Sequence, residues 1–361
     1  MAINRNIPRN LYMVSNQYLN LQNSRATHFS RVLKNENIFR PSLTETEFEA
    51  QALATFRYQY AENRVYRQWV DCLGVKAAEV RELSSIPFLP IESFKTHEVV
   101  CGRIPSGALR FVSSGTTGST PSTHIVNKAE LYESSFSTGF SLFYGQPSSY
   151  CILALLPNYL ERGSSSLVYM FHRLIEDSKH PLSGFILNEW EELKQRLHTL
   201  MQRKEKVLLL GVSYALLDLA ESGIQLNENV IVMETGGMKG RRKEMLKQEL
   251  HHELIRGLGV THIHSEYGMT ELLSQAYSKG GGIFECPPWM KIKIRQVDDP
   301  LSYCANGKTG GINVIDLANR ESCSFIATKD LGRLNDNGSF EVMGRYQESD
   351  VRGCNLLVEN Y

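Results

Sequence analysis

Residues 230–264 read VIVMETGGMKGRRKEMLKQELHHELIRGLGVTHIH, and this stretch decides the fold. The short apolar run at 230–233 predicts a buried strand, and a glycine turn follows it. Residues 257–259, Gly-Leu-Gly, are predicted to end the next element, and 260–264 to form a second strand. A strand, a crossover helix and a second strand require a parallel pair. The helix is predicted at 241–256 because apolar side chains share one face, at Met245, Leu246, Leu250 and Leu254.

The preceding sequence extends this pattern. Residues 150–156 and 207–211 are continuous apolar runs, as buried parallel strands are. Ligands of such sheets bind outside the carboxyl ends of the strands. Loops 235–238 and 265–271 leave two such ends, so we expect them to lie side by side over one cleft.

The two flanking regions have different patterns. Residues 47–73 carry apolar side chains near helical spacing and predict an amphipathic helix. Residues 335–338, Asn-Asp-Asn-Gly, predict a hairpin turn, because Asn and Gly tolerate the positive φ that it needs. The last third is predicted as a mostly antiparallel β element packed on the α/β core. Its short strands are expected at 291–297, 311–317, 323–328 and 339–343.

The composition argues against several classes of protein. Among 361 residues, Lys plus Arg and Asp plus Glu number 39 each, so no net charge attracts nucleic acid. No run approaches the roughly 20 apolar residues of a membrane span, and the N-terminus lacks the apolar block of a secretory signal. The seven cysteines are scattered, without the spacing of a zinc site. We expect a reduced, cytoplasmic protein with no nucleic-acid partner and no membrane span.

Residues 111–121, FVSSGTTGSTP, form the most informative loop. A short apolar strand leads into hydroxyl residues and two glycines, which let backbone N–H groups and hydroxyls approach phosphate oxygens. The spacing and the lysine of a Walker loop are absent. Such a run is also typical of a flexible surface loop, and at this point both readings stay open. The candidate phosphate-binding residues are Ser113, Ser114, Gly115, Thr116, Thr117 and Gly118.

Three later segments add candidates. Residues 266–271, EYGMTE, offer an aromatic ring, a hydroxyl and carboxylates after a predicted strand. Residues 328–333, TKDLGR, place Asp330 beside a glycine, and Gly344 and Arg345 follow after one hairpin. Each segment alone has a structural reading, as core tyrosine, turn aspartate or surface arginine. Their order and separation together favour a single functional site.

These motifs resemble the signatures of the adenylate-forming superfamily of acyl- and aryl-CoA ligases, luciferases and nonribosomal peptide adenylation domains. The resemblance covers residues 85–357 and is greatest to the LuxE-type acyl-protein synthetases, with phenylacetate-CoA ligases next. It depends on segments such as IPFLPI at 86–91, ELLSQ at 271–275, CPPW at 286–289 and RGC at 352–354.

The resemblance implies an α/β fold of two βαβ-type sheets plus a small distorted β-barrel, without the superfamily's mobile C-terminal domain. Residues 1–80 would form a helical segment packed on the core. The adenylate-forming large domain would occupy 81–344 and be β-rich from about 288. Residues 345–361 would form a tail.

The resemblance also assigns roles in binding ATP. The loop at 113–118 would hold the β- and γ-phosphates. Tyr267, followed by Gly268, would stack on adenine, while Gly236 and Gly237 would line the adenine and acyl slot. ATP is therefore an implied cofactor.

The remaining candidates would act at the reacting centre. Thr270 would bond the α-phosphate, and Glu271 would ligate Mg²⁺, a hard cation that prefers oxygen. Asp330 would accept from the ribose hydroxyls, and Arg345 would reach ribose or phosphate. The resemblance thus implies that a carboxylic acid, expected to be a fatty acid, attacks the α-phosphorus while pyrophosphate leaves.

The sequence departs from the superfamily pattern in three places. The phosphate loop usually ends Pro-Lys, but residues 122–124 read Ser-Thr-His. Lys329 occupies a position where glycine is usual. We expect the C-terminal domain and its catalytic lysine to be missing after Tyr361, which weakens the interpretation as a CoA ligase. Whether a partner supplies that lysine stays open.

Cys354 is the candidate acyl acceptor. In the LuxE type a cysteine near the C-terminus takes the acyl group as a thioester and hands it to a partner reductase. Arg352 would favour the nucleophilic thiolate of Cys354. Residues 164–170 are expected to border the acyl pocket, and His264 has two readings, as a base or as a core histidine.

Two alternatives remain at this stage. One is a ligase that uses CoA or a carrier-protein thiol, with Cys354 passive. The other is a nucleotide- or acyl-binding regulator that retains the fold without turnover.

Overall fold

The computed structural model describes residues 38–114, 120–157, 164–186, 190–238, 241–243, 245–299 and 301–345. In chain order the helices are α1 (Glu45–Glu62), α2 (Arg64–Cys72), α3 (Ser93–Thr96), α4 (Ala129–Tyr144), α5 (Ser166–Ser178), α6 (Trp190–Gln202), α7 (Ser213–Glu221) and α8 (Lys247–Leu258). The strands are β1 (Leu89–Pro90), β2 (Leu109–Val112), β3 (Thr123–Val126), β4 (Cys151–Leu155), β5 (Gly184–Ile186), β6 (Val207–Val212), β7 (Val230–Thr235), β8 (His264–Tyr267), β9 (Ala276–Ser278), β10 (Ile283–Phe284), β11 (Met290–Arg295), β12 (Gly310–Asp316), β13 (Phe325–Leu334) and β14 (Phe340–Arg345).

The first sheet has the strand order β5-β4-β6-β7-β8-β9. Strands β4 to β8 pair in parallel, and β9 is antiparallel to β8. Every residue of β4 and β6 is buried, which explains their continuous apolar sequence. The predicted strands at 150–156, 207–211 and 230–233 are confirmed, as is the βαβ crossover.

The crossover differs from its prediction in three details. Helix α8 begins at Lys247, so Leu246 precedes it and is 65% exposed instead of facing the core. Gly257 lies inside α8, where an added Cβ would come within 2.7 Å of the Ala220 Cβ; glycine therefore permits close packing against α7. The helix ends at Gly259, with φ of 72°. Strand β8 begins only at His264, because its buried residues come after the apolar run that predicted it.

The second sheet is mostly antiparallel and has the order β10-β14-β13-β12-β11. Strand β1 pairs in parallel with Ile326 and Ala327 of β13. The predicted hairpin turn is confirmed, since Gly338 has φ of 83° and its N–H donates to Asn335 O at 3.0 Å. Strand β13 continues to Leu334, so Asp330 lies on a strand instead of in a turn.

The predicted amphipathic helix forms two helices, α1 and α2, which meet at Asn63. Asn63 caps α2 by accepting from Tyr66 N at 3.0 Å, and its Nδ2 donates to Ser322 O at 2.9 Å. Rings of Phe56 and Tyr66 pack against Phe325 with centroids 6.4 and 6.0 Å away. Both helices therefore pack on the antiparallel sheet.

The predicted fold class is confirmed: the chain has an α/β fold with a parallel sheet and a separate β-rich part. Within the described residues, no helix combines the length and the apolar character that crossing a membrane requires.

Candidate active site

The carboxyl ends of β7 and β8 are neighbours because these strands pair in parallel. Gly236 follows β7 with φ of 69°, a conformation that glycine adopts without strain. Its carbonyl accepts from Ser213 Oγ at 3.4 Å, and Gly237 beside it is partly buried. Tyr267 ends β8, so the two predicted loops leave the same edge of the sheet.

Tyr267 links the two sheets through Asp330. Its hydroxyl donates to Asp330 Oδ2 at 2.9 Å, and Arg345 Nε lies 3.1 Å from Oδ1 of the same carboxylate. Burial raises the pKa of Asp330, although the Arg345 charge and the Tyr267 hydrogen bond oppose this. The Tyr267 ring packs edge-on against Phe284 and Phe340, with centroids 5.9 and 5.5 Å away. Three candidates from separate segments thus meet in one place.

Glu271 is buried in the loop after β8, with 6% of its surface exposed. Its Oε1 accepts from the Ser122 hydroxyl. Burial raises the pKa of Glu271; the Ser122 hydrogen bond and the Arg345 charge lower it, and the Asp330 charge raises it further. Asp330 and Arg345 therefore lie close enough to act on Glu271 electrostatically.

His124 and Asn319 hold the main chain of Thr270 and Glu271. Nδ1 of His124 donates to Thr270 O at 2.8 Å, and Nε2 lies 3.0 Å from Asn319 Oδ1. Nδ2 of Asn319 donates to Glu271 O at 2.7 Å. Both side chains are fully buried, and burial lowers the pKa of His124 to about 4, so the ring is neutral at pH 7. The Thr270–Glu271 turn is thus held through its main-chain carbonyls by His124 and Asn319.

Asp316 secures the residues that follow this turn. Its Oδ2 accepts from Leu273 N at 2.8 Å and from Ser274 N at 3.0 Å, while Oδ1 accepts from Ser274 Oγ at 2.6 Å. Sequence reasoning did not assign functional roles to Ser122, His124, Asp316 or Asn319. The only signal was the departure from Pro-Lys at 122–124; Asp316 and Asn319 gave none.

Ser113 and Ser122 close the base of the candidate phosphate loop. Ser113 N donates to Ser122 O at 3.0 Å, and Ser122 N donates to Ser113 Oγ at 2.9 Å. Ser114 is partly buried next to them. Other predicted residues lie outside the described part of the chain: Gly115, Thr116, Thr117, Gly118 and Cys354.

The family model of LuxE acyl-protein synthetases matches residues 39–361. The chain belongs to this family. The resemblance drawn from the motifs is confirmed, and the matched region of this LuxE-family protein includes every candidate residue from Ser113 to Cys354.

The LuxE-family chain shares its fold with 2-hydroxyisobutyryl-CoA ligase. An open conformation of 2-hydroxyisobutyryl-CoA ligase in complex with 2-HIB-AMP and CoA matches with a TM-score of 0.62 and 12% identity, over 83% of this chain and 69% of that one. ATP-bound MatB from Rhodopseudomonas palustris matches with a TM-score of 0.48 and 17% identity, over 65% and 47%. MenE, the O-succinylbenzoate coenzyme A synthetase from Bacillus subtilis, solved with ATP and magnesium, gives 0.46 and 22%, over 65% and 49%.

The matched region covers about half the length of MatB and of MenE. No match was found among curated proteins.

Proposed function

We propose that this protein activates a carboxylic acid with ATP as an acyl-adenylate and then passes the acyl group to the thiol of Cys354. One observation carries the proposal. The Thr270–Glu271 turn lies beside the group of Tyr267, Asp330 and Arg345 at the carboxyl ends of a parallel sheet, where nucleotides bind in such folds. Membership of the LuxE family supports it.

The side chains present fit ATP with Mg²⁺. Glu271 offers carboxylate oxygen, and Mg²⁺ is commonly bound by one or two carboxylates with phosphates and water completing its shell. When bound, Mg²⁺ would neutralise phosphate charge.

In the first step a carboxylate oxygen of the acid forms a bond to the α-phosphorus of ATP. The bond from that phosphorus to the bridging oxygen breaks, and pyrophosphate leaves with the electron pair. The Thr270 hydroxyl donates a hydrogen bond to the α-phosphate, and the Asp330 carboxylate accepts hydrogen bonds from the ribose hydroxyls. Arg345 offsets the negative charge of the phosphates. Catalysis then consists mainly of positioning and charge stabilisation.

In the second step the Cys354 thiolate attacks the acyl carbonyl carbon, AMP leaves, and the thiol proton passes to solvent. Burial raises the pKa of five described thiols and makes them poor nucleophiles: Cys101, Cys151, Cys286, Cys304 and Cys323. Cys354 has Arg352 two residues away, which favours the thiolate.

The proposal also covers the cellular setting. A fatty acid is the first candidate substrate, the cytoplasm is the proposed location, and an acyl reductase is the proposed partner that receives the acyl group.

The test is intact-protein mass spectrometry after incubation with ATP, Mg²⁺ and a mixture of carboxylic acids. Wild type should gain an ATP-dependent adduct that hydroxylamine removes, and Cys354→Ser should not. Cys72→Ser is the matched control, because Cys72 is an exposed thiol and its loss should leave the adduct unchanged.

Two outcomes would contradict parts of the proposal. Pyrophosphate release without any protein adduct would move the acceptor to CoA or a carrier-protein thiol. Binding of ATP without pyrophosphate release from any acid would point to a regulator without turnover.

A further inference from the structure

Glu266 and Tyr277 face each other across the antiparallel pair of β8 and β9. They are direct partners in the strand register, so their side chains leave the same face of the sheet. Glu266 is 6% exposed and Tyr277 is 2% exposed. A carboxyl group and a phenol therefore enter the interior side by side.

The Tyr277 hydroxyl is a buried donor without a hydrogen-bond partner among the described residues. Its ring is fixed between Phe143 and Tyr144, with centroids 5.1 and 5.4 Å away, so it cannot turn toward solvent without disturbing α4. Tyr144 itself is engaged, since its hydroxyl lies 3.2 Å from Nδ1 of His264. Leaving a buried polar group unpaired is costly, which points to a partner that the described residues do not supply.

Thr235 binds one oxygen of the Glu266 carboxyl. Oε2 accepts from Thr235 Oγ1 at 2.5 Å. Burial raises the pKa of Glu266 to about 7; the Thr235 bond opposes this shift and the nearby Glu234 charge adds to it. Burial is the main reason that the pKa values of Tyr277 and Tyr144 are raised, and the Glu266 charge raises both further. Both phenols are therefore close enough to Glu266 to interact with it electrostatically.

This polar pair adjoins the proposed site. Thr235, the donor to Glu266, immediately precedes Gly236, and Glu266 immediately precedes Tyr267. Burial and, to a smaller extent, the Glu266 charge raise the pKa of Tyr132. The Tyr132 hydroxyl donates to Ser166 O at 3.0 Å. Ser166 belongs to the segment expected to border the acyl pocket. Glu266 is therefore connected to the Gly236 turn through Thr235 and to Ser166 through Tyr132.

We infer that the acid activated by this protein carries a hydroxyl group on its acyl part, which donates to the Glu266 carboxylate and accepts from the Tyr277 hydroxyl. The inference rests on the proposed function and narrows its substrate. A hydroxyl satisfies both protein groups at once. A plain alkyl chain would leave the Tyr277 hydroxyl unpaired, and an ammonium group would bind the carboxylate while leaving the Tyr277 donor without an acceptor.

The experiment measures ATP-dependent pyrophosphate release by wild type with pairs of acids of equal carbon number, one hydroxylated and one plain. Amino acids of the same length form the third arm. A site built to bond a hydroxyl discriminates strongly against the analogue that lacks it, so kcat/KM should favour the hydroxylated acid by roughly 10- to 100-fold. Tyr277→Phe should reduce that preference to within about threefold by raising KM for the hydroxylated acid alone.

Tyr58→Phe is the matched control. Tyr58 lies on α1, and its hydroxyl donates to Glu321 Oε2 at 3.3 Å. The change removes a phenol hydroxyl as Tyr277→Phe does, and the preference should persist. Because the wild-type comparison is decisive by itself, a variant that fails to fold does not prevent a result.

The possible failures are distinguishable. Equal or better activation of plain acids would overturn the inference and leave the proposed function intact, and a preference for amino acids would do the same. Absence of pyrophosphate release with every acid would overturn the proposed function and the inference with it.

Discussion

Replacing Asn319 with alanine tests whether the Thr270–Glu271 turn depends on a side chain from the other sheet. Nδ2 of Asn319 donates to Glu271 O at 2.7 Å, and Oδ1 lies 3.0 Å from His124 Nε2. Both Asn319 and His124 are fully buried. The variant leaves the Glu271 carbonyl without its donor, which costs about 1–3 kcal/mol. We expect the free energy of unfolding to fall by about 1–3 kcal/mol.

The same change should affect catalysis selectively. A turn released from Asn319 no longer fixes Thr270 and Glu271, so the apparent KM for ATP with Mg²⁺ should rise roughly tenfold. The KM for the acid should stay unchanged because Glu266 and Tyr277 are held by different contacts. Urea unfolding and pyrophosphate release measure the two effects separately.

Asn306→Ala is the control for this prediction. Asn306 is exposed and donates to Asp336 Oδ1 at 3.1 Å, so its loss should cost under about 0.5 kcal/mol. If Asn319→Ala unfolds like this control and retains the wild-type KM for ATP with Mg²⁺, the turn is fixed by something else and the reasoning is wrong.

Three further predictions follow from single contacts. A Cβ at Gly268 would lie 2.3 Å from Glu266 Oε1, so Gly268→Ala should lower both stability in urea and kcat/KM for the acid. Burial opposes the ionisation of Glu234, but its hydrogen bonds and ion pairs lower its pKa to about 2. The ionised Glu234 therefore stabilises the folded protein fully above the unfolded pKa of about 4.5, and this contribution is lost as the pH falls through 2. Urea unfolding between pH 5 and 2 should therefore show a steeper loss in wild type than in Glu234→Gln. The Ser122 hydrogen bond lowers the pKa of Glu271, so Ser122→Ala should move the acid limb of the pyrophosphate-release profile to higher pH, and an unmoved limb would count against Glu271 as the group that must be ionised.

The parallel sheet could be predicted because its strands are buried on both faces and read as continuous apolar runs. The run at 230–233 became β7, and that at 207–211 became β6. Strand β8 was misplaced because it reads His-Ser-Glu-Tyr, with polar residues that are satisfied only by partners distant in sequence. Leu246 was predicted as buried because spacing alone cannot show where a helix begins.

The candidate site divides in the same way. Thr270 and Glu271 could be found because they share the motif at 266–271, and Asp330 because it lies in the motif at 328–333. The contact of His124 with Asn319 could not, because the two residues are 195 positions apart and neither lies in a motif. A single sequence contains no local pattern for a side chain whose role is to hold a main chain that arrives from elsewhere.

The site lies between two sheets, and this position explains why His124 and Asn319 could not be predicted from the sequence. Thr270 and Glu271 follow the last parallel strand, whereas Asp330 lies on the antiparallel sheet and Asn319 follows β12 of that sheet. The β2–β3 hairpin contributes His124 to the same contacts. Because the turn receives its donors from the hairpin and from the segment after β12, its geometry is set only after the separate parts have packed. The residues that lie in recognisable motifs are those that would contact the substrates. His124 and Asn319 lie outside the motifs, and through them the turn adopts its geometry only when the two sheets have packed together.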